Sequence, residues 1–104
     1  MKHLADFNSV PWTQGDAGVR SKKIAGENQQ LRMVEFSYGF TEHDWCRSSH
    51  AGYVLSGAFT VDYSGKTERY SAGDAFIIRA GETDKHKVVM GEGEKVTLLL
   101  FEIV

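Results

Sequence analysis

The chain of 104 residues contains one cysteine, one proline and no apolar run long enough to span a bilayer, and each shortage excludes something. A lone cysteine closes no intramolecular disulfide, so a disulfide-stapled secreted scaffold is ruled out. The richest apolar stretch, VTLLLFEIV at 96–104, carries Glu102 within it and falls well short of the ~20 apolar residues of a membrane helix. The opening MKHLADFNSVPW has no apolar core of the kind a signal peptide needs, which with the single thiol predicts a cytoplasmic protein. Charge of one sign is also missing. Twelve Lys and Arg stand against fourteen Asp and Glu, for a net charge of −2, and the basic residues are scattered among acids. No face neutralises phosphates, so neither nucleic acid nor a membrane surface is an expected partner.

One proline against eleven glycines implies tight turns rather than a Pro-rich tail. At this length a chain can bury enough surface to fold as one domain, 1–104, without a structural metal. Helical periodicity is scarce. GVRSKKIAG (18–26) and LRMVEFSYG (31–39) place β-branched and aromatic residues between glycine stops, and Phe59, Val61 and Tyr63 alternate with Thr60 and Asp62. GYVLSG and AFTVDYSG read as a close pair of strands turned at Ser56-Gly57. TERYSAGD, AFIIRAGE, HKVVMGEGE and KVTLLLFEIV complete eight to nine strands with the turn spacing of an antiparallel sandwich or barrel, and AFIIRAG and TLLLFEIV read as core strands. Residues 1–15 form an N-terminal arm that packs on the barrel or on a neighbouring subunit.

Two stretches carry the chemistry. HDWCRSSHAGYVLSG (43–57) gathers two histidines, an aspartate and the cysteine ahead of a strand, and GDAFIIRAGETDKH (73–86) ends in Asp84 and His86. In this order, and with glycines at 57, 73 and 81, they resemble the two motifs of the cupin superfamily. The first family motif runs Gly, five residues, His-x-His, three or four residues, Glu, six residues, Gly; the second runs Gly-Asp, a strand, Pro-x-Gly, two residues, His. The resemblance implies an all-β, antiparallel jelly-roll barrel, which agrees with the strand count.

The departures bear on the ligands. His50 stands where the family has its glutamate, Arg79 replaces the proline, and Asp84 takes the histidine position with His86 two residues beyond. Counting back from His50 leaves two registers open: His43 with Trp45, or Asp44 with Cys46. Residues i and i+2 of a strand share a face, so Asp84 and His86 can both look inward, and His50 shares a face with Gly52 and Val54. The expected metal ligands are therefore His50 and His86 with either His43 or Cys46, and Asp84 serves as a ligand or general base. Such a set suits a divalent Zn, Fe, Mn or Ni ion, and a thiolate from Cys46 favours zinc or iron. Each residue also has a plainer reading: the histidines as solvated loop residues, Cys46 as a small buried hydrophobe, Asp84 as a turn cap. Tyr38, Phe40, Tyr53 and Phe76 are candidate walls of a small-molecule pocket.

Three functions follow for comparison: a metal-dependent enzyme acting on a small polar molecule, a non-enzymatic metal or small-molecule binder, and a metal-free barrel. A homodimer is expected as well, on the reasoning that the apolar C-terminal strand and the arm leave sheet edges that a second subunit covers.

Overall fold

In the computed structural model, which describes residues 3–103, a 3₁₀ turn at Phe7–Ser9 precedes eight strands. They are β1 Thr13–Gln14, β2 Val19–Ala25, β3 Gln29–Ser37, β4 His50–Asp62, β5 Thr67–Ser71, β6 Ala75–Ile78, β7 Lys87–Val89 and β8 Lys95–Ile103. All pairings are antiparallel, in the order β1-β2-β3-β8-β4-β5, with β6 and β7 also paired to β4. The strands wrap a common core in the jelly-roll manner, without closing into a complete ring. Among the described residues no helix is long and apolar enough to cross a membrane.

The expected turn at Ser56-Gly57 is absent. β4 runs straight through it: residues 50–57 pair with β6 and β8, and residues 58–62 pair with β5 and β7. The reason is a bulge. Val54 pairs with Leu98, but Ser56 pairs with Thr97, so Leu55 is an extra residue in the ladder. Gly57 then adopts φ 78°, the left-handed region that favours glycine. Without the extra residue, alternation would put His50 and Val54 on one face and Phe59 and Val61 on the other. With it, Val54, Phe59 and Val61 are all buried in one core with Val34, Phe76, Ile78, Val96, Leu98 and Leu100.

The strands read as core are core on one face only. Phe76 and Ile78 point inward and Ile77 outward; Val96, Leu98 and Leu100 point inward, whereas Phe101 and Ile103 are exposed. β8 is also no edge: it lies between β3 and β4, so the edge argument for a dimer fails at that strand. Of the arm, residues 1 and 2 lie outside the described residues. The rest crosses the outer side of β2, where the Trp12 ring sits 4.2 Å from the Arg20 guanidinium and 4.9 Å from the Lys22 ammonium, and β1 pairs with β2.

Two glutamates tie the strands laterally. Glu35 accepts hydrogen bonds from Arg20 (2.9 and 3.1 Å) and lies 3.6 Å from the Lys95 ammonium; Arg20, then Lys95, hold its carboxyl below the usual range against the opposing effect of burial. Burial pushes the Glu102 carboxyl up, but hydrogen bonds from Gln30 (2.7 Å) and Arg32 (2.6 Å) outweigh it and leave the group lowered. A folded-state pKa below the unfolded value gives stability that is present above about pH 4.3 and is lost as the pH falls through the folded pKa. The melting temperature, followed by circular dichroism, is expected to fall as the pH drops below about 4.3, and the fall should shrink in Glu35→Gln.

Candidate metal centre and cavity

The barrel encloses a cavity of about 290 Å³, lined largely by core side chains such as Val34, Phe36, Phe59, Phe76 and Leu98. Its polar lining comes from few residues, among them Arg32, Glu42, Cys46, His50 and His86. Three of these converge: one donor atom each from Cys46, His50 and His86 lie within 4.8 Å of one another.

Each donor is placed by the strand ladder. His50 opens β4 opposite Ile78, on the inner face with Gly52 and Val54 as alternation requires. Cys46 and His86 form an isolated antiparallel bridge, with Cys46 N–H donating to the His86 carbonyl at 2.9 Å and His86 N–H to the Cys46 carbonyl at 3.0 Å. Residues directly opposite in such a pair point to the same face, which brings thiol and imidazole together. The Cys46 Sγ to His50 Nε2 distance is 3.5 Å, and the two imidazoles meet edge-on with centroids 5.2 Å apart.

The orientation of the two imidazoles follows from their surroundings. His86 is buried at 4% exposure, and its Nδ1 lies 2.9 Å from the Asp84 carbonyl oxygen. A carbonyl only accepts, so Nδ1 donates to it and Nε2 is the ring nitrogen left to face the cavity, the arrangement that orients metal-binding histidines. Burial lowers the His50 pKa, and the nearby His86 lowers it further, while Glu102 opposes. The neutral ring, the form that offers a lone pair, is thereby favoured. A tetrahedral zinc with Zn–S of ~2.3 Å and Zn–N of ~2.0 Å would set sulfur and nitrogen roughly 3.5 Å apart, so the Cys46–His50 spacing fits such an ion.

His43 is not brought to the site. Thr41 pairs with Val89 and Cys46 with His86, five steps against three, so the intervening chain loops out and leaves His43 and Asp44 exposed. Of the two registers, only the one containing Cys46 reaches the cavity. Asp84 is also turned away: its carboxylate accepts from Arg79 Nε at 3.0 Å on the outer side, and only its backbone carbonyl serves the site. Phe40 and Phe76 line the cavity, whereas Tyr38 and Tyr53 are exposed. Trp45 packs beneath Lys85 and Lys87, whose ammonium groups sit 5.4 and 4.8 Å from its ring.

Two cavity residues escaped the sequence reading. Glu42 accepts the Val88 N–H at 2.9 Å, filling the backbone position that the looped-out segment vacates. The signal was available only as a carboxylate one residue ahead of the motif. Replacing it with alanine strands that N–H and is expected to cost about 1–3 kcal/mol in urea denaturation, with Glu42→Gln restoring most of the loss. Arg32 projects inward from β3, paired with Glu102, but its Nε is buried without a partner, as is His50 Nδ1. Arginine in a strand otherwise reading LRMVEF gives no hint of its face until β3 is registered against β8.

Comparison with known proteins agrees with this architecture. The family model described as "Cupin domain" matches residues 37–102. No curated protein matches the sequence. Among solved structures, the polyketide cyclase RemF from Streptomyces resistomycificus superposes with a TM-score of 0.80 at 22% identity, covering 97% of this chain and 78% of that one. KdgF from a Halomonas species gives 0.74 at 26% identity, covering 93% and 91%. A sugar phosphate isomerase of the cupin superfamily from Silicibacter pomeroyi gives 0.76 at 15% identity, covering 97% and 75%.

Proposed function

This chain belongs to the cupin domain family, and from that premise we propose that its barrel holds a divalent metal on Cys46, His50 and His86 and acts on a small polar molecule bound in the adjoining cavity. The observation that carries the reading is the convergence of three donor atoms within 4.8 Å at the wall of an otherwise apolar cavity. Two imidazoles with a thiolate favour Zn(II) or Fe(II) over Mn(II) or Ni(II). A cavity of about 290 Å³ is at the small end of ligand pockets, which suits a small molecule. The same barrel in a polyketide cyclase and a sugar phosphate isomerase supports an organic ligand of that kind. The single free thiol is in keeping with a reducing compartment such as the cytoplasm.

When bound, the ion would supply Lewis-acid polarisation of a carbonyl or hydroxyl oxygen. Glu42 offers a carboxylate at the same cavity with one oxygen fixed by the Val88 N–H, leaving the other to hold or accept a proton. A second reading, a non-enzymatic binder, is favoured by one observation: Glu42 is the only carboxylate lining the cavity among the described residues, and Asp84 faces outward. Metal analysis by mass spectrometry on untagged protein tests the metal reading, with near one ion per chain expected and its loss in His50→Ala. No metal after anaerobic reconstitution with Fe(II), Mn(II), Ni(II) or Zn(II) would overturn it. A metal-loaded protein that binds carbonyl and hydroxy acids without converting them would favour the binder.

A further inference from the structure

Arg32 is the only cationic side chain lining the cavity among the described residues, and the fold leaves part of it unused. It stands on β3 two residues before the buried Val34, hence on the inner face, and pairs with Leu100 of β8, which in turn pairs with Gly52 of β4. Glu102 takes one end of its guanidinium, accepting from Nη2 at 2.6 Å, but Nε is buried with no acceptor. An arginine nitrogen can only donate, so that N–H is a standing cost to the fold. The side chain borders the cavity and the groove that shares Cys46, His50 and Ile78 with it, and an acceptor has to enter from one of them. Elsewhere the wall is poor in polar groups. Beyond the three donors only Ser21, Arg32 and Glu42 bring polar side chains to it among the described residues, and one Glu42 oxygen already accepts the Val88 N–H.

We propose that the ligand of this cavity is a small monocarboxylate with an apolar body, and that Arg32 selects it by donating Nε–H to the carboxylate where groove and cavity meet. This rests on the cavity taking a small molecule, as proposed above, and narrows what that molecule is. A carboxylate supplies the acceptor that Nε lacks, and a hydrogen bond to a charged acceptor is stronger than one to a neutral oxygen. One cation, already shared with Glu102, answers a single negative charge and not the two of a phosphate monoester. The body is decided by the walls. A sugar, hydroxylated along its length, would bury several hydroxyls against Phe36, Phe59, Phe76 and Leu98 with nothing to pair them. An alkyl or aryl body meets the same side chains at no such cost.

The test is calorimetric titration with hexanoate, with hexanamide, which keeps the body and lacks the charge, and with glucuronate, which keeps the charge on a hydroxylated body. Each is run on zinc-loaded protein and in EDTA, for wild type, Arg32→Gln and Arg32→Lys, with circular dichroism reporting that the variants fold. Hexanoate is expected to bind wild type about 10- to 100-fold tighter than either of the others, and Arg32→Gln to erase its margin over hexanamide while leaving hexanamide unchanged. Arg32→Lys keeps a cation for Glu102 should the glutamine variant fail to fold, but it has no Nε–H and is expected to lose several-fold for hexanoate alone. Binding by none of the probes, hexanoate no tighter than hexanamide, or Arg32→Lys as tight as wild type would overturn the role of Arg32. Glucuronate matching hexanoate would overturn the apolar body. Failure of the metal reading is distinct: a protein that retains no ion yet shows the hexanoate margin in EDTA overturns the metal and supports Arg32, and one that retains its ion without the margin does the reverse.

Discussion

Replacing His86 by alanine is expected to lower the affinity for Zn(II) on the order of 10³-fold, about 4 kcal/mol, while the barrel still folds. The size of the effect follows from how the ligand is held. His86 is the most buried of the three donors, and its ring is pinned by the Nδ1–H bond to the Asp84 carbonyl. Its Nε2 thus arrives already oriented, and little freedom is lost on coordination. Without it only Cys46 and His50 remain, two donors for an ion that takes at least three from protein. Asp84→Ala leaves the backbone carbonyl in place, so it should change the affinity little, and this contrast separates the carbonyl from the carboxylate. Titration against a competing chelator reads both. A change below about threefold in His86→Ala would remove that residue from the site.

The second large effect falls on stability. Gly57→Ala is expected to cost on the order of 3–5 kcal/mol in urea denaturation, a large part of the 5–15 kcal/mol that holds a domain together. At φ 78° a Cβ is strained, and here it would land on the Lys95 carbonyl of the neighbouring strand. The clash is with backbone, so no rotamer change relieves it. Because the bulge sets the inward face of β4 on both sides of the sheet, relieving it by realigning the strand would turn either His50 or Phe59 out of the barrel. A loss below about 1 kcal/mol would show that the ladder tolerates a side chain at this position.

These two residues also mark what was legible beforehand. Gly57 is conspicuous in the sequence and needs positive φ, but a glycine after serine fits a hairpin as well as a bulge, and only pairing with β8 distinguishes them. His50 is placed by motif spacing, His86 only by lying two residues beyond the motif position that Asp84 fills, and alternation alone gives His50 its companions Gly52 and Val54. The third candidate donor is different. Whether His43 or Cys46 faces inward depends on two residues looped out between the Thr41–Val89 and Cys46–His86 bridges, a non-local pairing with no local signature. Asp84 illustrates the same limit: position brought it near the site, and Arg79, standing where the family has a proline, draws its carboxylate outward. The outward half of β8 was equally hidden, since VTLLLFEIV is apolar at nearly every position and does not reveal that Phe101 and Ile103 lie outside.

Cys46, His50 and His86 are proposed to hold one metal ion together. Titrating the metal-free protein with Co(II) while recording the absorption spectrum tests it most directly, because a cobalt–thiolate bond gives a charge-transfer band that oxygen and nitrogen ligands do not. That band is expected to rise to saturation at one equivalent, to vanish in Cys46→Ser, and to be reversed by Zn(II). A titration with no thiolate band, or a band that survives in His50→Ala and His86→Ala alike, would contradict it.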